Sequence, residues 1–284
     1  MLSKPIIICS HHKSGTNYSI NVFKEISREF QEKIWMKFYE PDVVMPDWAI
    51  CLDQQGRIED LLLGKNFRGW HCIRHPKAII FSAMIYHQKC TEAWVDIPLN
   101  SFSSNTFLSI TDGRRYSKIK DPSIPTHEKE KLLNFSNVEK AGLMFESPYS
   151  MNGRTYRQAL SSLESVSDKL LFEMRTFSRG VISDILNFPA DKRFYTIKLE
   201  DISHDEKMCS LTEAFVHLGF RGENLLKSLD IASRHCLWKI GKSTLGSHST
   251  TGVSDQWRDL FKGEVEKEYR HLFGWAEEAL GYTF

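Results

Sequence analysis

Lys13, Ser14, Gly15 and Thr16 occupy a short polar loop between an apolar run, Ile6 to Cys9, and a segment with Ile20, Phe23, Ile26 and Phe30 at helical spacing. Strand, loop and helix in that order make an anion site. The first N–H groups of a helix have no partner inside it and lie at the positive end of its dipole. Gly15 lets the backbone approach a ligand, the hydroxyls of Ser14 and Thr16 can donate, and Lys13 adds a mobile point charge. The chemistry is that of holding a phosphate or a sulfate. Arg74 and Ser82 form a second candidate of the same kind. Arg74 directly follows the apolar run Phe67 to Ile73, Pro76 stands where a first-turn proline belongs, and Ile80, Ala83, Met84 and His87 recur at helical spacing. A guanidinium fork and a hydroxyl two turns into a helix suit a second anion.

These residues need strands to aim them. Further strands are predicted at 34–38, 48–52 and 193–199, and helices at 58–63, 206–218 and 223–232. One or two long helices are expected over 154–186, and an amphipathic surface helix over 263–280. Strands alternating with helices at this spacing argue for an α/β fold with a central, mostly parallel sheet flanked by helices and ligands at the strands' carboxyl ends. Residues 91–152 are irregular, with Pro98, Asp112-Gly113, Pro122, Pro125, Pro148 and Asn152-Gly153, and a short helix is expected at Glu128 to Leu133. So long an irregular segment inside one domain, here taken as 1–284, is expected to be a lid or pocket wall over an acceptor.

The order of residues in the first loop separates it from a Walker loop, which reads GxxxxGK[ST] with its lysine after the last glycine. Here Lys13 precedes Gly15, and the loop opens on Ser10. The KSGT loop resembles that of sulfotransferases using 3′-phosphoadenosine 5′-phosphosulfate (PAPS), and Arg74 with Ser82 resembles the pair by which the same family binds the 3′-phosphate. The resemblance implies the P-loop-like, three-layer sulfotransferase fold. It also implies PAPS as donor and 3′-phosphoadenosine 5′-phosphate (PAP) as product, with no metal. Lys13 would stabilise the leaving phosphate, and Lys13, Ser14, Gly15, Thr16, Asn17, Tyr18, Arg74 and Ser82 would bind the nucleotide. Tyr18 takes the place of the family's loop tryptophan and Leu199 that of a tyrosine touching adenine, ahead of the acidic pair Glu200-Asp201. Ser233 to Lys239, with Ser233 and Trp238, loosely resembles a segment packing near the nucleotide. Thr250 and Thr251 replace a basic pair before Gly252 and Trp257, so hydroxyls and amides stand where two charge-assisted contacts are usual.

Transfer to a hydroxyl or amine also calls for a general base. By the resemblance a base belongs at the end of the strand preceding Arg74's, and Asp53 stands within about one residue of that place. His71, His11, His12 and Glu173 are its competitors. Rival readings are a P-loop small-molecule kinase, or a nucleotide-binding protein that has lost transfer. The acceptor is expected to be a small molecule, of unspecified identity, taking sulfate on oxygen or nitrogen.

The formal net charge of +1 speaks against nucleic acid or an anionic membrane as partner, so any phosphate site must be local. The opening MLSKP leaves no room for a signal sequence, and no apolar stretch reaches the length of a membrane span. A soluble, cytoplasmic protein is the expectation. The six cysteines, widely spaced and without a CxxC pair, are expected to be buried free thiols.

Overall fold

The structure, a computed structural model, describes residues 4–37, 49–54, 56, 66–96, 153–236 and 256–282. Its centre is a five-stranded, all-parallel sheet built from β1 (Ile6–Cys9), β2 (Ile34–Lys37), β3 (Ile50–Asp53), β4 (Arg68–Ile73) and β5 (Phe194–Lys198), in the order β2-β3-β1-β4-β5. β1 is four apolar residues in a row, all buried, because a central parallel strand is covered on both faces. Ile6 and Ile8 pack with Ile50, Leu52, Trp70 and Cys72 on one face, against Val22, Phe23 and Ile26 of helix α1 (Thr16–Glu29). Ile7, Cys9, Cys51 and Phe67 line the other, beside Phe188 and Phe194. Gly69 lacks a side chain where the Phe194 ring crosses it, and a Cβ there would collide with that ring.

Helix α2 (Pro76–His87) follows β4 with Pro76 in its first turn and the His75 side chain accepting the Lys77 N–H at 3.2 Å. Ile73 and Ile79 pack with Val181 and Ile185 on the face opposite to α1. The neighbouring strands β1 and β4 thus send their helices to opposite faces. That is a topological switch point, which opens a crevice at the carboxyl ends of the two strands.

The one or two long helices predicted over 154–186 are three: α3 (Tyr156–Ser161), α4 (Val166–Arg175) and α5 (Phe177–Leu186). Thr155 and Ser165 cap α3 and α4, their hydroxyls accepting N–H groups from Gln158 and Asp168, so the apolar period hides two restarts. Leu199 does not end a strand but begins α6 (Leu199–His204), followed by α7 (Cys209–Leu218) and α8 (Gly222–Arg234). The expected C-terminal surface helix breaks into α9 (Gly263–Phe273) and α10 (Ala276–Ala279), and it is anchored by buried Val265, Tyr269 and Phe273. Arg157 ties α3 to the end of α2 and to the short turn Ala93–Asp96 through Asp96 and the carbonyls of Gln88 and Cys90. The helix expected at 58–63 and nearly all of the expected lid, from residue 97 on, lie outside the described residues. The cysteines are free thiols, five buried and Cys209 exposed. No described helix is long and apolar enough to cross a membrane.

Candidate active site

The loop from Ser10 to Gly15 is held by its own polar groups. The His11 carbonyl accepts three donors, the Ser14 N–H at 3.0 Å, the Ser14 hydroxyl at 2.9 Å and the Thr16 hydroxyl at 2.9 Å. Ser14, fully buried, also lies 3.1 Å from the Cys72 carbonyl, and its oxygen accepts the His11 N–H at 2.7 Å. Both hydroxyls, expected as anion donors, are turned to the loop's interior. The donors left at the mouth are backbone N–H groups: Ser19 is the first residue whose N–H bonds back along the helix, to the Gly15 carbonyl. The loop turns through two left-handed residues, Lys13 at φ 62° and Gly15 at φ 95°. A Cβ on Gly15 would meet Leu199 at 3.0 Å and Cys72 at 3.1 Å, so Leu199, found in the tyrosine's place, is packed against the loop itself.

Lys13 leaves this turn with its ammonium 4.1 Å from the centre of the Tyr86 ring. Burial pulls its pKa down from 10.5 to about 8; Arg74 pushes the same way and Glu92 against. Tyr86 lies one turn beyond Ser82 on α2, which is how helical geometry brings both residues to one face. Its phenol donates to Glu92 at 2.7 Å. Tyr86 and Glu92 were missed in the sequence, where the spacing of Ser82 and Tyr86 was the available signal.

Arg74 donates to the Lys13 carbonyl at 3.1 Å, which joins the two candidate anion sites across the β1/β4 crevice. Burial lowers the guanidinium's pKa, and neighbouring Glu200 and Tyr282 oppose that. Glu200 accepts the His75 N–H at 3.1 Å and the Tyr282 hydroxyl at 2.9 Å, standing at the start of α2. Trp257 stacks on His75 with ring centres 4.3 Å apart.

The other sequence candidates fall in three places. Asp53 is buried at the end of β3, opposite Cys9 of β1, which in turn is opposite His71 of β4. His71 is stacked on Phe188 at 3.6 Å, and its Nε2 lies 2.9 Å from Nε2 of His11. One ring donates to the other, and burial, then His11, lowers the His71 pKa. Glu173 is fully buried, with its oxygens taken by His87 Nδ1–H at 3.0 Å, the Tyr156 hydroxyl at 2.9 Å and the Ser178 hydroxyl at 2.8 Å. His12 stacks on His87, ring centres 5.0 Å apart and 13° between planes, beside Phe177 and Tyr86.

Tyr18 packs against the core under α8, its hydroxyl 3.7 Å from the Cys236 sulfur. Asn17 is exposed in the first turn of α1, and Ser82 is buried on α2. Ser233 is buried near the end of α8 and donates to the Asp230 carbonyl at 2.8 Å. Trp238, Thr250, Thr251 and Gly252 lie outside the described residues. Among the described residues no three His, Cys, Asp or Glu side chains are grouped to hold a metal ion.

No family model matches the chain, and no curated protein matches it. Among solved structures, a mouse sulfotransferase, SULT7A1, complexed with PAP, matches at 12% identity and a TM-score of 0.49, over 96% of this chain and 85% of that one. A likeness of that degree assigns neither substrate nor chemistry to the chain.

Proposed function

We propose that the protein transfers the sulfuryl group of PAPS to a hydroxyl or amine of a small molecule in the cytoplasm. The reading rests on one observation, the contact between Arg74 Nη1 and the Lys13 carbonyl. It sets two strand-to-helix anion sites side by side, as a nucleotide phosphorylated on both its 3′ and 5′ carbons requires. The KSGT loop and the Arg74/Ser82 pair are the motifs that suggested such a nucleotide, and they lie at the two ends of that contact.

The fit can be taken group by group. The open N–H groups at the start of α1 and the Lys13 ammonium suit the 5′-phosphosulfate. Arg74, with its remaining donors, suits the 3′-phosphate, and Ser82, Asn17, Tyr18 and Ser233 complete the nucleotide's surroundings in this reading. PAPS supplies an activated sulfuryl group. The chain's part is then positioning and charge: in-line alignment of acceptor and leaving oxygen, and Lys13 neutralising the charge that builds on the departing phosphate.

Isothermal titration with PAP, ADP and ATP with magnesium tests the reading. PAP should bind the tightest, and Arg74→Ala should weaken PAP at least tenfold while changing ADP little. A preference for ATP with magnesium would overturn the reading in favour of a phosphotransferase. Tight PAP binding without consumption of PAPS in the presence of acceptors would leave a nucleotide-binding protein.

A further inference from the structure

Beside the transfer lysine lies a polar atom for which the described residues supply no partner. Nε2 of His12 is buried, and among the described residues no hydrogen bond reaches it. Buried polar atoms are nearly always paired, and an orphan next to a reactive group points to a partner that arrives with a ligand. The ring carrying it is fixed on three sides. It stacks on His87, meets the edge of Phe177 with centres 4.9 Å apart, and lies 5.5 Å from the Tyr86 ring. His87 in turn is locked by Nδ1–H donating to Glu173, whose other bonds come from Tyr156 and Ser178. Hydrogen bonds to Glu173 from His87, Tyr156 and Ser178 thus hold the surface on which an imidazole with an open nitrogen is stacked.

Tyr86 is the common neighbour. The Lys13 ammonium lies over its ring and His12 lies beside it, so the group that would neutralise the leaving oxygen and the open nitrogen meet around one aromatic ring. We infer that His12 is the general base of the transfer, taking the proton of the acceptor through Nε2 while the acceptor attacks sulfur; this rests on the sulfuryl-transfer reading. In the step, the acceptor's oxygen or nitrogen forms a bond to sulfur. The bond from sulfur to the bridging oxygen breaks, and its electron pair stays on the 5′-phosphate of PAP. The acceptor's proton goes to His12 and from there to water.

Charge sets the ring's resting form. Among the described residues, the titratable and charged groups around the ring are Lys13 on its own loop and His87 and Tyr86 on α2, with Glu173 of α4 behind His87 and Glu92 behind Tyr86. Burial, then His87 and Lys13, hold the His12 pKa well below 6.5, so the ring is neutral, with an unprotonated nitrogen, at neutral pH. Asp53 is the competing base, and it lies on β3, at the end of the strand pair that buries it against β1.

The test is single-turnover conversion of PAPS to PAP, with water alone and with a panel of simple phenols and primary amines, on wild type, His12→Ala and Asp53→Asn. PAP affinity is measured in parallel. His12→Ala should lose about a hundredfold in rate, with PAP affinity within twofold and the same thermal midpoint to within a few degrees. Added imidazole should restore part of the rate by filling the space left by the ring, and should restore none of any rate lost in Asp53→Asn. His12→Asn, which keeps a polar side chain in the stack, should be as slow as the alanine variant and serves if the latter does not fold. A His12 variant at wild-type rate, or a lost rate that imidazole does not restore, would overturn the assignment, as would a wild type that binds PAP and consumes PAPS under none of these conditions. A wild type that binds no PAP would instead remove the cofactor reading, and the base with it.

Discussion

Lys13 combines two costs that a structural lysine has no reason to carry. Its backbone sits in the left-handed region, where a side chain costs about 1–2 kcal/mol relative to glycine, and its ammonium is taken partly out of water. Strain of that kind gathers at functional sites because the surrounding structure enforces it. The burial has a measurable consequence. With a pKa of about 8 in the free protein, the ammonium is present below that pH and lost above it, and a bound anion pulls it back to the charged form. Affinity for PAP should therefore be flat from pH 6.5 to 7.5 and then fall, by up to about tenfold per unit, as pH rises beyond 8. Lys13→Arg, which stays charged, should abolish that slope in the same titration. Unfolding does not counterfeit the effect. Because the folded pKa is depressed below 10.5, the unfolded chain binds more protons between pH 8 and 10.5, and this group's contribution to stability rises with pH there.

At the scale of the elements, the β1–α1 junction was legible in the sequence because it is local. Ile6 to Cys9 is short and wholly apolar, and the 3.6-residue period restarts directly after the loop. Arg74 and Pro76 were legible for the same reason. Less visible was what the loop's hydroxyls do. Ser14 and Thr16 read as anion donors, yet their geometry is set by the His11 carbonyl, whose position depends on a fold no window of sequence contains. Leu199 was read as the end of a strand, where it starts α6 and closes on Gly15. The pairing of His12 with His87, 75 residues apart, is of the same long-range kind. Gly15 itself yields a test at this scale. Gly15→Ala must place a Cβ at φ 95° and against Leu199 and Cys72, and should destabilise the protein by about 1–3 kcal/mol in urea unfolding. Leu199→Ala in that background should recover only the part due to the contact. Full recovery would mean that the backbone conformation costs nothing.

Over the whole molecule, the site is completed by chain far from it in sequence. Residues 256–282 lie against the start of α2 through Trp257 on His75, Tyr282 on Glu200, and a buried cluster around Lys77. The Lys77 ammonium is 3.0 Å from Glu266 and 3.5 Å from Glu277, with the Tyr269 ring centre at 4.6 Å. His75 also faces Glu277, at 3.7 Å, but burial and Lys77 hold its pKa down at about 3, so Lys77 supplies the positive charge there. Glu277 is only 2% exposed, so it depends on that cation rather than on water. Lys77→Met should therefore strand a buried carboxylate and cost about 3 kcal/mol or more. Adding Glu277→Gln should return much of the loss, giving a strongly non-additive cycle. Since the same segment backs the helix start next to Arg74, the single Lys77 variant should also bind PAP more weakly, and the double variant should regain affinity together with stability. A cycle in which the two substitutions simply add would show that Glu277 is held by something other than Lys77.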